Sequence, residues 1–176
     1  MHRHLIAILR GITTDEAAAV CDALLSAGIS QIEIPLNSPD PMCTIEMMVK
    51  QYGADARIGA GTVLTCADVD MLAEIGAHMV ISPNMNPEVI ARTKQLGMMS
   101  CPGILTPTEG FAALAAGADM LKLFPADIVG PSGVKALRAV LPADVKLAAV
   151  GGVGPGKLSV WAEAGITAFA IGSSLY

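Results

Sequence analysis

Short apolar runs alternate with helix-period patterns from one end of the chain to the other. Residues 5–9, 31–36, 57–64, 79–82, 98–101, 120–124, 145–150 and 168–171 each read as a strand, eight in all. Strands that alternate with helices pair in parallel through right-handed crossovers. The helical stretches between them carry recognisable starts. Thr14-Asp15-Glu16 opens the first, Asp40-Pro41 the second, Cys66-Ala67-Asp68 the third and Asn86-Pro87-Glu88 the fourth. Thr106-Pro107-Thr108-Glu109 combines a first-turn proline with a glutamate at capping-box range. A glycine then closes helix after helix, in Ala27-Gly28, Ile75-Gly76, Ala116-Gly117 and Ala164-Gly165, as a left-handed C-cap requires.

No linker, charge block or low-complexity stretch divides residues 1–176, so a single domain is predicted. Eight parallel strands either close into a (β/α)8 TIM barrel or form a doubly wound open sheet. Neither GxGxxG nor GxxxxGK[ST] follows an early strand, and the barrel is the fold expected. The chain stops at Tyr176, just past the eighth strand. The barrel is therefore expected to lack its final covering helix, with apolar surface exposed near the first, seventh and eighth strands.

Composition narrows the function classes. Hydrophobic residues make up 53% of the 176 and charged ones 15%, which suits strands buried on both faces. A net charge of −5 and 3% aromatic residues exclude nucleic acid as a general partner, although a locally positive site can still bind an anion. The apolar run before Arg10 is too short for a signal sequence or a membrane span, so no membrane partner is expected. Cys21, Cys43, Cys66 and Cys101 show no metal or redox spacing. They read as reduced thiols, buried at positions 21 and 101, in a cytoplasmic protein.

In a (β/α)8 barrel the chemistry sits at the C-terminal ends of the strands. Side chains alternate along a strand. Leu121 and Leu123 take the helix side of the sixth strand, which turns Lys122 inward. Ile32 and Ile34 do the same in the second strand and turn Glu33 inward. The second and sixth strands lie opposite one another, so a lysine and a glutamate face across an apolar lumen. One reading is a buried structural ion pair, which is costly to desolvate and gives little net stability. The other is catalytic: removal from water favours the neutral form of both groups, leaving an amine free to attack a carbonyl and a carboxyl able to shuttle protons. Arg10 ends the first strand on the Ile6/Ile8 face, either as a solvated charge or as an anion ligand. Thr62 follows Gly59-Ala60-Gly61, whose small residues admit a ligand or form a tight turn. Gly151-Gly152 after the seventh strand and Gly172-Ser173-Ser174 after the eighth match the phosphate cradle of this fold. His2, His4 and His78 have no catalytic partner in the pattern.

At these positions the chain resembles the 2-keto-3-deoxy-6-phosphogluconate/galactonate aldolase family. The phrases IAILRG, IEIPLNSP, IGAGTVL, ISPN, CPGILTPTE, LKLFPA, AVGGV and IGSSL occur in family order from Leu5 to Leu175. The resemblance implies a cytoplasmic homotrimer that needs no metal or cofactor. It implies that Lys122 forms a Schiff base, that Glu33 is the general acid/base, and that Arg10 and Thr62 hold the pyruvoyl carboxylate. It further implies that Pro83 and Phe124 line the site and that Gly151, Gly152, Gly172 and Ser173 bind phosphate. Gluconate-type members often read E-[VI]-T-L-R-T after the second strand, whereas this chain reads Glu33-Ile34-Pro35-Leu36-Asn37-Ser38, like the galactonate branch. With no arginine at 37, carboxylate binding falls more heavily on Arg10, and Asn37 is expected to sense the C4 hydroxyl. The expected substrate is the phosphorylated keto-deoxy acid 2-dehydro-3-deoxy-6-phosphogalactonate. The alternatives are its gluconate epimer or 4-hydroxy-2-oxoglutarate, a non-catalytic phosphosugar-binding barrel, and a subunit that serves assembly.

Overall fold

The strands form where the hydrophobic pattern places them. The computed structural model describes residues 4–176, so His2 lies outside it. The strands are β1 (Leu5–Ile8), β2 (Gln31–Pro35), β3 (Arg57–Gly61), β4 (Met79–Ile81), β5 (Met99–Cys101), β6 (Gly103–Ile104), β7 (Leu121–Leu123), β8 (Leu147–Val150) and β9 (Ala168–Ile171). Every pairing between them is parallel, in the order β5-β4-β3-β2-β1-β9-β8-β7-β6. The two ends of that order, β5 and β6, are separated only by Pro102. They are halves of one strand, so the sheet closes on itself as an eight-position barrel.

Most strands are one or two residues shorter than the sequence expectation, and two differences change the architecture. The fifth strand is broken and extends to Ile104 rather than ending at Cys101. Pro102 has no N–H to give a neighbour, and its carbonyl instead accepts the Lys122 N–H at 2.9 Å, which switches the strand from β4 to β7. The third strand stops at Gly61 rather than at residue 64, because Thr62 turns to φ +59 and leaves extended geometry.

Among the described residues seven α-helices cover the barrel: α1 (Thr14–Ser26), α2 (Pro41–Tyr52), α3 (Cys66–Glu74), α4 (Pro87–Gln95), α5 (Pro107–Ala115), α6 (Ala126–Arg138) and α7 (Leu158–Ala164). Capping boxes start α1, α3 and α5 from Thr13, Thr65 and Thr106. Gly28, Gly76, Gly117 and Gly165 take positive φ after their helices, as their spacing predicts. Beyond β9, residues 172–176 form a turn with no helix over it. An apolar groove lined by Leu9, Val20, Leu24, Ile29, Leu175 and Tyr176 runs beside β1 and α1. Among the described residues no helix is long and apolar enough to cross a membrane.

The core has two shells, and strand parity decides which residue enters which. Ile32, Ile34, Leu121 and Leu123 pack outward against the helices. Ile6, Ile8, Met79, Ile81, Met120 and Val150 fill the barrel interior with Cys101, Ala148, Ala168 and Ala170. The inner face of the lumen is thus rich in alanine, and space remains inside it for longer side chains.

Candidate active site

Lys122 occupies the centre of β7, with Leu121 and Leu123 turned to the helices, and its own side chain points inward. Ala148 is its ladder partner on β8, a small neighbour that leaves the long side chain room. Glu33 takes the equivalent inward place on β2, in register with Ile8 and Gly59. Lys122 is 6% exposed and Glu33 2%, and they are the two buried charged side chains among the described residues. Lys122 Nζ stands 4.9 Å from the centroid of the Phe124 ring, a cation–π distance.

These two groups do not form the buried ion pair that sequence alone allowed. Ion pairs among the described residues join Lys50 to Glu46, Arg92 to Asp70 and Lys94 to Asp119, all partly exposed. Glu33 Oε2 is buried without a hydrogen-bond partner. Burial pushes the Glu33 carboxyl above the usual carboxylate range, while the charges of Lys122 and Arg10 pull the other way. A Cβ on Gly61 would lie 2.9 Å from Glu33 Oε1, so the carboxyl rests against a glycine that cannot gain a methyl without moving it. Cys101, also interior, is raised to about 12, chiefly by burial, and is an inert wall residue.

Above this pair the C-terminal ends of the strands open into a cavity of about 710 Å³. Its wall includes Arg10, Phe124, Gly151, Gly152, Gly172 and Ser173, six of the predicted site residues, from four different strand ends. Neither Lys122 nor Glu33 lines this cavity; Lys122 is linked to its wall through the ring of Phe124. Gly151 and Gly152 have φ of +90 and +71, and a Cβ on Gly152 would collide with the Asp127 side chain at the start of α6. That double restriction leaves only glycine at position 152.

The remaining predicted residues border the mouth without lining the cavity. Thr62 is half-buried after β3 at a positive φ that a β-branched residue adopts only under constraint. Pro83 is half-buried past β4, its carbonyl packed against Gly103. Asn37 is exposed past β2, and its Oδ1 accepts a hydrogen bond from the Arg10 guanidinium at 2.6 Å. Sequence reasoning missed Gly61 and the wall residues Ile8, Val150 and Ala170. The last three are the inward strand positions nearest the mouth and could have been found by continuing the parity that placed Lys122. Nothing in the pattern points to Tyr176, which also lines the cavity.

His4 and His78 lie away from this site. His78 Nδ1 accepts the Ile58 N–H at 3.0 Å, and His4 and His78 line a separate cleft of about 550 Å³ at the opposite end of the barrel. Among the described residues no three His, Cys, Asp or Glu side chains come together to hold a metal. The cysteines are free, and Cys21 and Cys101 are buried as their contexts suggest.

Comparison with known proteins shows the family to which the chain is similar. The family model described as KDPG and KHG aldolase matches residues 1–176. The chain is 53% identical over 176 residues to a probable 2-dehydro-3-deoxy-6-phosphogalactonate aldolase of Rhizobium meliloti (strain 1021), covering 100% of this chain and 83% of the relative. It is 51% identical over 172 residues to the 2-dehydro-3-deoxy-6-phosphogalactonate aldolase of Escherichia coli (strain K12), covering 98% of this chain and 84% of the relative. A solved structure described as native KDPGal superposes with a TM-score of 0.96 at 51% identity, over 98% of this chain and 84% of that one.

Proposed function

The chain belongs to the KDPG and KHG aldolase family of carbon–carbon lyases, and from that premise we propose that it cleaves 2-dehydro-3-deoxy-6-phosphogalactonate to pyruvate and D-glyceraldehyde 3-phosphate through a Schiff base on Lys122. The observation that carries the reading is the buried, unpaired arrangement of Lys122 and Glu33 inside an otherwise apolar barrel. The substrate assignment is supported by relatives of that name at 53% and 51% identity.

The neutral amine of Lys122 adds to the C2 ketone, and the carbinolamine loses water to give a protonated imine. Glu33 relays the protons: it delivers one to the departing hydroxyl and accepts one from the C4 hydroxyl. As that proton leaves, the C3–C4 electron pair flows into the iminium, releasing the aldehyde and leaving an enamine. Protonation at C3 and hydrolysis return pyruvate and the free lysine. A carboxyl held above its usual range by burial suits this exchange, because burial favours the protonated form that proton delivery requires. Arg10, with Thr62, holds the substrate carboxylate. Pro83 and Phe124 shape the pocket, and Gly151, Gly152, Gly172 and Ser173 take the phosphate. No cofactor is needed. Family membership supports a homotrimer, and the four free cysteines support a reducing, cytoplasmic setting.

Borohydride reduction in the presence of pyruvate tests the lysine. One peptide should be labelled, that containing Leu121-Lys122-Leu123, and Lys122→Arg should abolish both labelling and cleavage because a guanidinium cannot form the imine. Labelling of another lysine, or cleavage by Lys122→Arg, would overturn the mechanism. Equal or reversed kcat/KM for the two C4 epimers would remove the galactonate assignment and leave the aldolase reading intact.

A further inference from the structure

The loops after β1 and β2 are joined at two points just beyond the end of their ladder. Backbone pairing between the strands persists to the Leu9 N–H, which donates to the Glu33 carbonyl at 2.9 Å. Past it, side chains take over. Arg10 NH1 donates to Asn37 Oδ1 at 2.6 Å, and the Gly11 N–H donates to Ser38 Oγ at 3.0 Å. Ser38 is buried, and its own N–H is spent on the Pro35 carbonyl at 2.9 Å, so the acceptor stands on a fixed turn. Gly11 sits at φ +85 with open space where a side chain would lie, so glycine serves the backbone turn there.

An arginine at a strand end is a long, rotamer-rich side chain that water would otherwise keep mobile. Here Arg10 lines the cavity and lies near enough to Glu33 to act on its charge. The acceptor that holds it is an amide. Asn37 Oδ1 occupies one of the five guanidinium N–H groups and leaves the positive charge uncancelled, with donors free for a carboxylate. A carboxylate at position 37 would hold the guanidinium equally well and neutralise it.

We infer that Asn37 is a positioning residue of the aldolase site, holding the Arg10 guanidinium at the barrel mouth to receive the carboxylate of the 2-keto acid, with Ser38 anchoring the loop on which Arg10 stands. The inference rests on the aldolase reading. It reassigns Asn37 from a sensor of the C4 hydroxyl to a residue that acts through Arg10.

A double-mutant cycle tests it. Wild type, Asn37→Ala, Arg10→Ala and the double variant are compared in cleavage kinetics with both C4 epimers and in the pyruvate concentration that half-saturates borohydride trapping. Asn37→Ala should raise KM and the trapping half-saturation roughly five- to ten-fold, the low end for losing a bond to a charged group at an exposed position. Its kcat should stay within about two-fold, and both epimers should suffer alike, since only binding common to ground and transition state is lost. Arg10→Ala should cost more, and the double variant no more than Arg10→Ala alone. Asn37→Asp, which keeps the hydrogen bond, should bind pyruvate at least as poorly as Asn37→Ala. An undiminished effect of Asn37→Ala in the Arg10→Ala background, an effect confined to one epimer, or wild-type affinity in Asn37→Asp would each overturn the inference while wild-type trapping upholds the aldolase reading. Absence of a trapped adduct in the wild type would overturn both.

Discussion

A single methyl group placed at Gly61 should separate the packing of Glu33 from its chemistry. Gly61 ends β3 in register with Pro35, and its backbone lies outside the left-handed region, so alanine there meets no conformational strain. What it meets is the carboxyl of Glu33: the new Cβ would stand 2.9 Å from Oε1, 3.0 Å from Cδ and 3.3 Å from Oε2. Ordinary contact begins at 3.4 Å, so 3.4 − 2.9 gives a required retreat of 0.5 Å. Glu33 is 2% exposed and has little space to retreat into. Overpacking of this kind costs about 1–3 kcal/mol, and each kcal/mol lowers Tm by about 2–4 °C in a domain of this size. The catalytic cost comes from the same displacement. A misplacement of about 1 Å can cost about 10²-fold, so half of it should lower kcat roughly ten-fold, with KM little changed. Differential scanning calorimetry and pyruvate-release kinetics read the two effects separately. Adding Gly61→Ala to Glu33→Gln should reproduce the loss of Tm, because glutamine fills the same space, but should cause no further loss of kcat. Wild-type kcat in a Gly61→Ala protein whose Tm has fallen would refute Glu33 as the proton carrier. Unchanged Tm and kcat together would refute the packing itself.

Glu33 also links stability to pH. Because burial raises its pKa in the folded protein, the native state binds more protons than the unfolded chain between the ordinary value of 4.5 and the raised one, and stability falls as pH rises through that window. Glu33→Gln should therefore have a Tm that exceeds wild type increasingly above pH 4.5 and converges with it in acid, while losing roughly 10²–10⁴-fold in kcat; a pH-independent difference in thermal melts would contradict the burial argument. Gly152→Ala forces a methyl against Asp127 at a φ of +71 and should raise KM for the phosphorylated substrate at least about ten-fold, yet leave half-saturation by phosphate-free pyruvate in the trapping assay unchanged. Equal losses for both ligands would remove the phosphate role of the cradle.

Period-two alternation made most of this molecule legible. It placed Lys122 and Glu33 in the lumen because a strand has two faces and the leucines and isoleucines at 121, 123, 32 and 34 claim the outer one. The helix boundaries were legible because threonine, aspartate and proline starts and glycine stops act within one turn of chain. What alternation could not supply was any relation that depends on closure. The break at Pro102 is visible only once its flanking halves are seen to pair with different neighbours. The crowding of Glu33 by Gly61, on an adjacent strand, depends on register and rotamer. The bond from Arg10 to Asn37 spans 27 residues, and a pattern read locally offers no reason to join them. The residues themselves were identifiable; the partner each one acts upon was not.

That distinction bears on the two readings of the buried charges. A structural ion pair is kept only if close contact returns the cost of taking both ions from water, and that return falls with separation while the desolvation cost does not. In this barrel the two groups stand on β7 and β2, four positions apart in an eight-position ring, and they are not paired. Glu33 Oε2 is left without any hydrogen-bond partner. As a stabilising device the arrangement is poor, since apolar side chains of similar volume would fill the lumen without an unsatisfied oxygen. As a reaction site the same separation is useful. An amine and a carboxyl that bonded each other directly would have to part before either could touch a substrate. Ala148 stands beside the amine and Gly61 against the carboxyl, and among the described residues neither charged group is committed to a salt bridge that a substrate would have to break. A buried ionisable group without a structural partner is a poor stabilising device and a good candidate for chemistry, and Glu33 meets that description.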